Sequence, residues 1–106
     1  MIANTPKPPY YAVLFSTLRT GIDEDEYHKT ADRMKQLAKL QPGYLGIESA
    51  QNEMGITISY WQSLEAIKNW KHHVEHAEAR KKGKEIWYKK YRLRICKVEH
   101  EYGFER

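Results

Sequence analysis

Apolar and polar residues along this chain change period several times, and each change marks an element. Tyr10 to Leu18 alternates in a period of two, with Tyr11, Val13, Phe15 and Thr17 on one side and Tyr10, Ala12, Leu14, Ser16 and Leu18 on the other. Both sets are largely apolar, so this first strand is expected to be covered on two faces and central in its sheet. Arg19-Thr-Gly-Ile is a turn. Asp23 to Glu26 then supply an acidic first turn that complements a helix dipole, and Tyr27, Ala31, Met34, Leu37 and Ala38 form a helical stripe that stops at Gln41-Pro42-Gly43. Tyr44 to Gln51 reads as a second strand, and Asn52-Glu-Met-Gly55 turns it back as a hairpin. In the third strand Ile56, Ile58 and Tyr60 alternate with Thr57, Ser59 and Trp61. After Ser63 the apolar positions become Leu64, Ile67, Trp70 and Val74, the period of a helix, with Ser63 as its N-cap and Glu65 in the first turn. His76 to about Tyr88 reads as another helical stretch punctuated by Gly83, and Tyr91 to about His100 as a final strand through Leu93, Ile95 and Val98.

The order β-α-β-β-α-β, with an extended second helical region, predicts a ferredoxin-like split βαβ fold of the α+β class. Its antiparallel four-stranded sheet has the first and third strands central and the helices on one face. The bare second face of such a sheet and the two-sided apolar pattern of the first strand predict a homodimer through that face. Residues 1–9, with their prolines, read as an extended arm, and residues 10–106 as a single domain. Hydrophobic residues at 41% and charged residues at 30% exclude a disordered chain, and no apolar run is long enough to cross a bilayer. The amino terminus has no signal-peptide h-region, and a lone cysteine, Cys96, cannot form an internal disulfide, so a cytoplasmic location is expected.

The net charge of +4 arises in the C-terminal part of the chain, where Arg80, Lys81, Lys82, Lys84, Lys89, Lys90 and Arg92 crowd together around Trp87, Tyr88 and Tyr91. This is a composition from which a nucleic-acid surface can be built. Glu75, Glu78 and Glu85 dilute it, and the third strand lacks the basic and aromatic signature of RNA-recognition domains with this element order, so no specific nucleic-acid binding is expected. His72 and His76, or His73 and His76, would share a helix face, but no third ligand is visible and no metal site is expected. The acidic run Asp23 to Glu26 points around a helix instead of converging on an ion. Ser59 and Ser63 lack a Gly-x-Ser-x-Gly elbow, and Cys96 in a strand has no helix terminus to lower its pKa.

Pro42-Gly43-Tyr44-Leu45-Gly46, Ile58-Ser59-Tyr60-Trp61 before the Ser-Leu-Glu-Ala-Ile helix, then Trp70, His76, Gly83, Trp87-Tyr88 and the tail from Tyr91 to Val98 together resemble the antibiotic biosynthesis monooxygenase superfamily, in its small bacterial branch. The resemblance runs from about Tyr10 to Phe104 and implies a dimeric α+β barrel. Haem-degrading members carry a helical histidine ten residues after the tryptophan that corresponds to Trp70, and an asparagine on the first strand. Here those positions hold Arg80 and either Leu14 or Ser16, so haem is not expected. The cofactor-independent oxygenases of the superfamily place that tryptophan beside a cavity between helices and sheet. The resemblance therefore implies a cofactor-independent monooxygenase acting on an aromatic or quinone-like molecule. His73 or His76 would be the base, and Trp70, Ser16, Tyr88, Tyr91 and Arg94 would line the pocket. The alternative is a non-catalytic small-molecule-binding or stress-associated dimer of the same fold, with Trp70 as core.

Overall fold

The computed structural model describes residues 1–106. Strand β1 spans Tyr10–Arg19, helix α1 Glu24–Lys39, β2 Tyr44–Gln51, β3 Gly55–Trp61, α2 Leu64–Lys71, α3 Val74–Lys82 and β4 Tyr88–Val98, with a single π-turn over Gly83–Trp87 between α3 and β4. All strand pairs are antiparallel and the sheet order is β2-β3-β1-β4, so β1 and β3 are central as the pattern predicts.

Cross-strand partners share a face, which fixes the two sides of the sheet. Tyr11 and Val13 of β1 pack with Trp61 and Tyr44 against Leu37, Ala38, Ile67 and Trp70, the helix-covered core. Trp61, at 0% exposure, is its centre, and its indole donates to Ser59 Oγ at 2.9 Å. The other face carries Tyr10, Ala12, Leu14, Ser16 and Leu18 of β1 beside Lys90, Arg92, Arg94 and Cys96 of β4. Here the burial expected from a second subunit is supplied at one end by the chain itself. Ala3 N–H of the amino-terminal arm donates to Glu48 Oε2 at 2.8 Å, and Thr5 and Tyr10 both bond Glu101 of the carboxy-terminal tail. Tyr10 and Ala12 are buried, whereas Leu18 and Ile56 at the other end of this face stay exposed.

Helix α1 opens on Glu24, Asp25 and Glu26, whose charges meet the positive end of its dipole, while Asp23 before it is left-handed and makes no side-chain cap. Ser63 caps α2 as expected, accepting from Ala66 N–H at 3.1 Å. Two boundaries differ from the sequence reading. Val74 does not continue the apolar stripe of α2: the helix ends at Lys71, and Val74 begins α3 at 72% exposure. The last strand starts at Tyr88, three residues early, because Tyr88 packs edge-on to Phe15 of β1 and is drawn into the ladder opposite Arg19.

Candidate functional site

The break between α2 and α3 creates a polar cluster around Trp70. His72 leaves the helix at φ −91° and ψ 0°, and His73 turns extended at φ −58° and ψ 134° before α3 starts. A helix end leaves carbonyls without intrahelical donors. The Trp70 carbonyl accepts from the His73 backbone N–H at 3.1 Å and from His76 Nδ1 at 2.9 Å, and the Lys71 carbonyl accepts from Arg80 Nη2 at 3.2 Å. Side chains from α3 thus close the carboxyl end of α2, where its dipole favours donors and positive charge. His73, His76 and Arg80 stand at spacings of three and four, on one face of α3 with His73 at its N-cap.

The His76 ring lies flat on the Trp70 indole, with centroids 4.3 Å apart and planes at 13°, and His73 approaches the same indole at 5.4 Å. Trp70 stacks in turn on Trp61 at 6.3 Å. Burial pushes the His76 pKa below its ordinary value, the bond to the Trp70 carbonyl works against that push, and the charges of Arg80 and His73 reinforce it. The ring is therefore neutral at pH 7. Because a carbonyl can only accept, Nδ1 carries the proton and Nε2 keeps its lone pair. Two polar atoms beside it, His73 Nδ1 and Arg80 Nε, are buried without a partner.

Tyr88 and Tyr91 belong to a second aromatic cluster on the same sheet face. Phe15 contacts both, at 5.6 and 5.4 Å between centroids, Tyr27 meets Trp87 and Tyr88 edge-on, and the Arg19 guanidinium lies 4.5 Å over the Tyr27 ring. Burial raises the Tyr88 pKa, and the neighbouring Tyr27 hydroxyl adds to the rise. Ser16 and Arg94 do not join either group. Ser16 pairs with Ile56 and Arg92, and Arg94 with Leu14, so both side chains lie on the face away from the helices and cannot line a pocket with Trp70. The expected His72 and His76 pair also fails, because the helix break falls between them.

The sequence shows Arg80 as part of the basic segment and as the wrong residue for an iron ligand, not as a partner of His73 and His76. Its spacing of four from His76 was the available signal that it shares their face. Trp61 was grouped with the polar side of its strand, and its closeness to the α2 start hid that it is the core centre.

A family model described as antibiotic biosynthesis monooxygenase matches residues 9–82. An uncharacterised Bacillus subtilis protein, YqjZ, is 46% identical over 106 residues, covering 98% of this chain and 92% of its own length. Among solved structures, Rv0793 from Mycobacterium tuberculosis superposes with a TM-score of 0.78 at 10% identity, covering 89% of this chain and 99% of that one. SnoaB from Streptomyces nogalater, a cofactor-independent oxygenase, superposes with a TM-score of 0.74 at 9% identity, covering 89% and 97%. At such identities the structural likeness speaks for the fold.

Proposed function

The chain belongs to the antibiotic biosynthesis monooxygenase family, and from that membership we propose that it is a cofactor-independent monooxygenase of an aromatic or quinone-like substrate, with His76 as its base. The observation that carries this reading is the neutral His76 imidazole, oriented through Nδ1–H on the Trp70 carbonyl so that Nε2 is left basic. The chemistry asks for little more. Nε2 takes the proton of an acidic phenol or of its ring CH2 tautomer, the resulting anion forms a carbon–oxygen bond with dioxygen, and loss of water from the hydroperoxide leaves a carbonyl. Overall, CH2 and O2 become C=O and H2O, and no outside reductant is needed. The unpartnered donor Arg80 Nε–H beside the base would stabilise the substrate anion, and His73 would share in holding it. Two chains would pair through the sheet face that carries Leu14, Leu18, Ile56 and Ile58.

A second reading, a small-molecule-binding dimer without turnover, is favoured by the packing of Trp70 directly on Trp61 within the core. Oxygen uptake with a panel of hydroquinones and polyphenols separates the two. The oxygenase reading expects uptake above the uncatalysed rate that falls tenfold or more in His76→Gln, about 1.4 kcal/mol of transition-state stabilisation. It also expects an acid limb of kcat/KM below the ordinary histidine pKa. No uptake by the wild-type protein across the panel would instead favour the binding reading.

A further inference from the structure

Helix α3 buries no apolar stripe, and its two faces are both polar. His73, His76 and Arg80 turn to Trp70, while Glu75, Glu78 and Lys82, two residues on and so about 200° around the helix, turn to α1. Between α1 and α3 lies a cleft of about 340 Å³. Its walls are built as a ladder. Lys82 Nζ meets Glu26 Oε1 at 3.9 Å at one end, and Arg33 meets Glu75 at 3.2 and 3.3 Å at the other. These pairings run the two helices antiparallel, which sets Lys29 and Thr30 across from Glu78 and Ala79 in the middle. That middle rung is open: Lys29 and Glu78 enter no ion pair, and the cleft separates them.

The floor adds a demand that the helices do not meet. Met34, Ala79 and Trp87 form it, and Trp87, at 3% exposure, has an indole Nε1–H with no acceptor. A buried donor without a partner carries a desolvation penalty that a bound acceptor would relieve. Lys82 Nζ already lies 5.7 Å over the indole ring, so the free group is the edge donor and not the ring face. The lining balances its charges, three cations against three carboxylates, and so disfavours a ligand with net charge of either sign.

We propose that the α1–α3 cleft binds a small zwitterion of the amino-acid type, with its carboxylate on Lys29, its ammonium on Glu78 and a side-chain carbonyl on the Trp87 indole N–H. The site is separate from the Trp70 cluster and does not depend on the oxygenase reading. L-Glutamine, which carries all three groups, is the probe. Titrated into 15N-labelled protein, it should shift the Trp87 indole resonance saturably, and Lys29→Met and Glu78→Gln should each weaken binding tenfold or more. Both side chains are exposed, so these variants should fold as the parent does. Ala79→Leu, which fills the cleft, should abolish the shift, and L-norleucine, lacking the carbonyl, should bind more weakly. An indole resonance that L-glutamine leaves unmoved at about 50 mM, well past millimolar affinity, overturns the proposal. So does binding of glutarate as tight as that of L-glutamine, or binding unchanged in both charge variants.

Discussion

Replacing Trp70 tests how packing controls the chemistry of His76. Trp70 is 9% exposed and lies between Trp61 and the His76 ring. Trp70→Ala removes the whole indole from a site that cannot close over it, and a large aromatic truncated to alanine in a core costs about 3 to 5 kcal/mol. Against a total stability of about 5 to 15 kcal/mol, that is a large share. Trp70→Phe keeps a ring under the imidazole and should cost less. The two substitutions should also differ in what they do to His76. Burial is the chief cause of its lowered pKa, and the indole supplies one face of that burial. In Trp70→Ala the imidazole is open to water on that face and its pKa should return towards 6.5, the value of an unperturbed ring, whereas Trp70→Phe should hold it down.

The linkage runs with a definite sign. A folded pKa below the unfolded one means that the unfolded state binds more protons, so the stability due to neutral His76 is full above 6.5 and is lost as the pH falls through the folded pKa. Wild type and Trp70→Phe should therefore lose stability below 6.5 in a way that Trp70→Ala does not. Urea unfolding between pH 5 and 8 measures the stabilities, and proton NMR of the imidazole resonances measures the pKa. If the His76 pKa of folded Trp70→Ala stays as low as that of the wild type, the indole is not what desolvates the imidazole, and this cause of the lowered pKa is refuted.

Tyr60 provides an alkaline counterpart. Burial and then its bond to Glu48 at 2.8 Å raise its pKa to about 12, so the stability it contributes is full below 10 and is lost as the pH rises from 10 towards 12. Thermal melts across that range should show a wild-type decline that Tyr60→Phe lacks, and equal declines in the two would refute the assignment. Gly43 and Gly21 are both left-handed, at φ +85° and +81°, but an added Cβ would stand 2.6 Å from the Ala66 Cβ at Gly43 and touch nothing at Gly21. Gly21→Ala should lose only the left-handed preference, about 1 to 2 kcal/mol. Gly43→Ala should lose more by pushing α2 off the turn, and equal melting temperatures for the two variants would contradict that.

What the sequence made legible follows from where one physical effect dominates. Strand β1 was readable on both faces because alternation over nine residues admits no other period, and Ser63 was readable because a cap needs only a hydroxyl just before an apolar run. Val74 misled because a residue four positions after Trp70 satisfies the helical period whether or not the helix continues. Nothing local in Lys71-His72-His73 says that it breaks, and the break is stabilised by His76 and Arg80 from the next helix. The family resemblance implies Ser16 and Arg94 in the pocket, while strand parity puts Ser16 with Tyr10 and Ala12, away from Trp61. The arm was foreseen as extended, but its hold on Glu48 and Glu101 links residues more than forty and ninety positions apart, which no pattern of period two or 3.6 records.

The break between α2 and α3 ties the fold to its chemistry. In an unbroken helix the Trp70 carbonyl would take the amide of Val74, and His76 would have no acceptor to orient its ring. Broken after Lys71, the chain leaves that carbonyl facing a histidine whose burial keeps it neutral, and one hydrogen bond fixes both its tautomer and its contact with the indole. The same break gives Arg80 its place. A guanidinium stays protonated and offers donors only, and it holds the Lys71 carbonyl across the gap between the helices. Arg80 thus closes the junction from α3 while His76 keeps its lone pair. With Nδ1–H held by the Trp70 carbonyl, the proposed base would take a proton at Nε2.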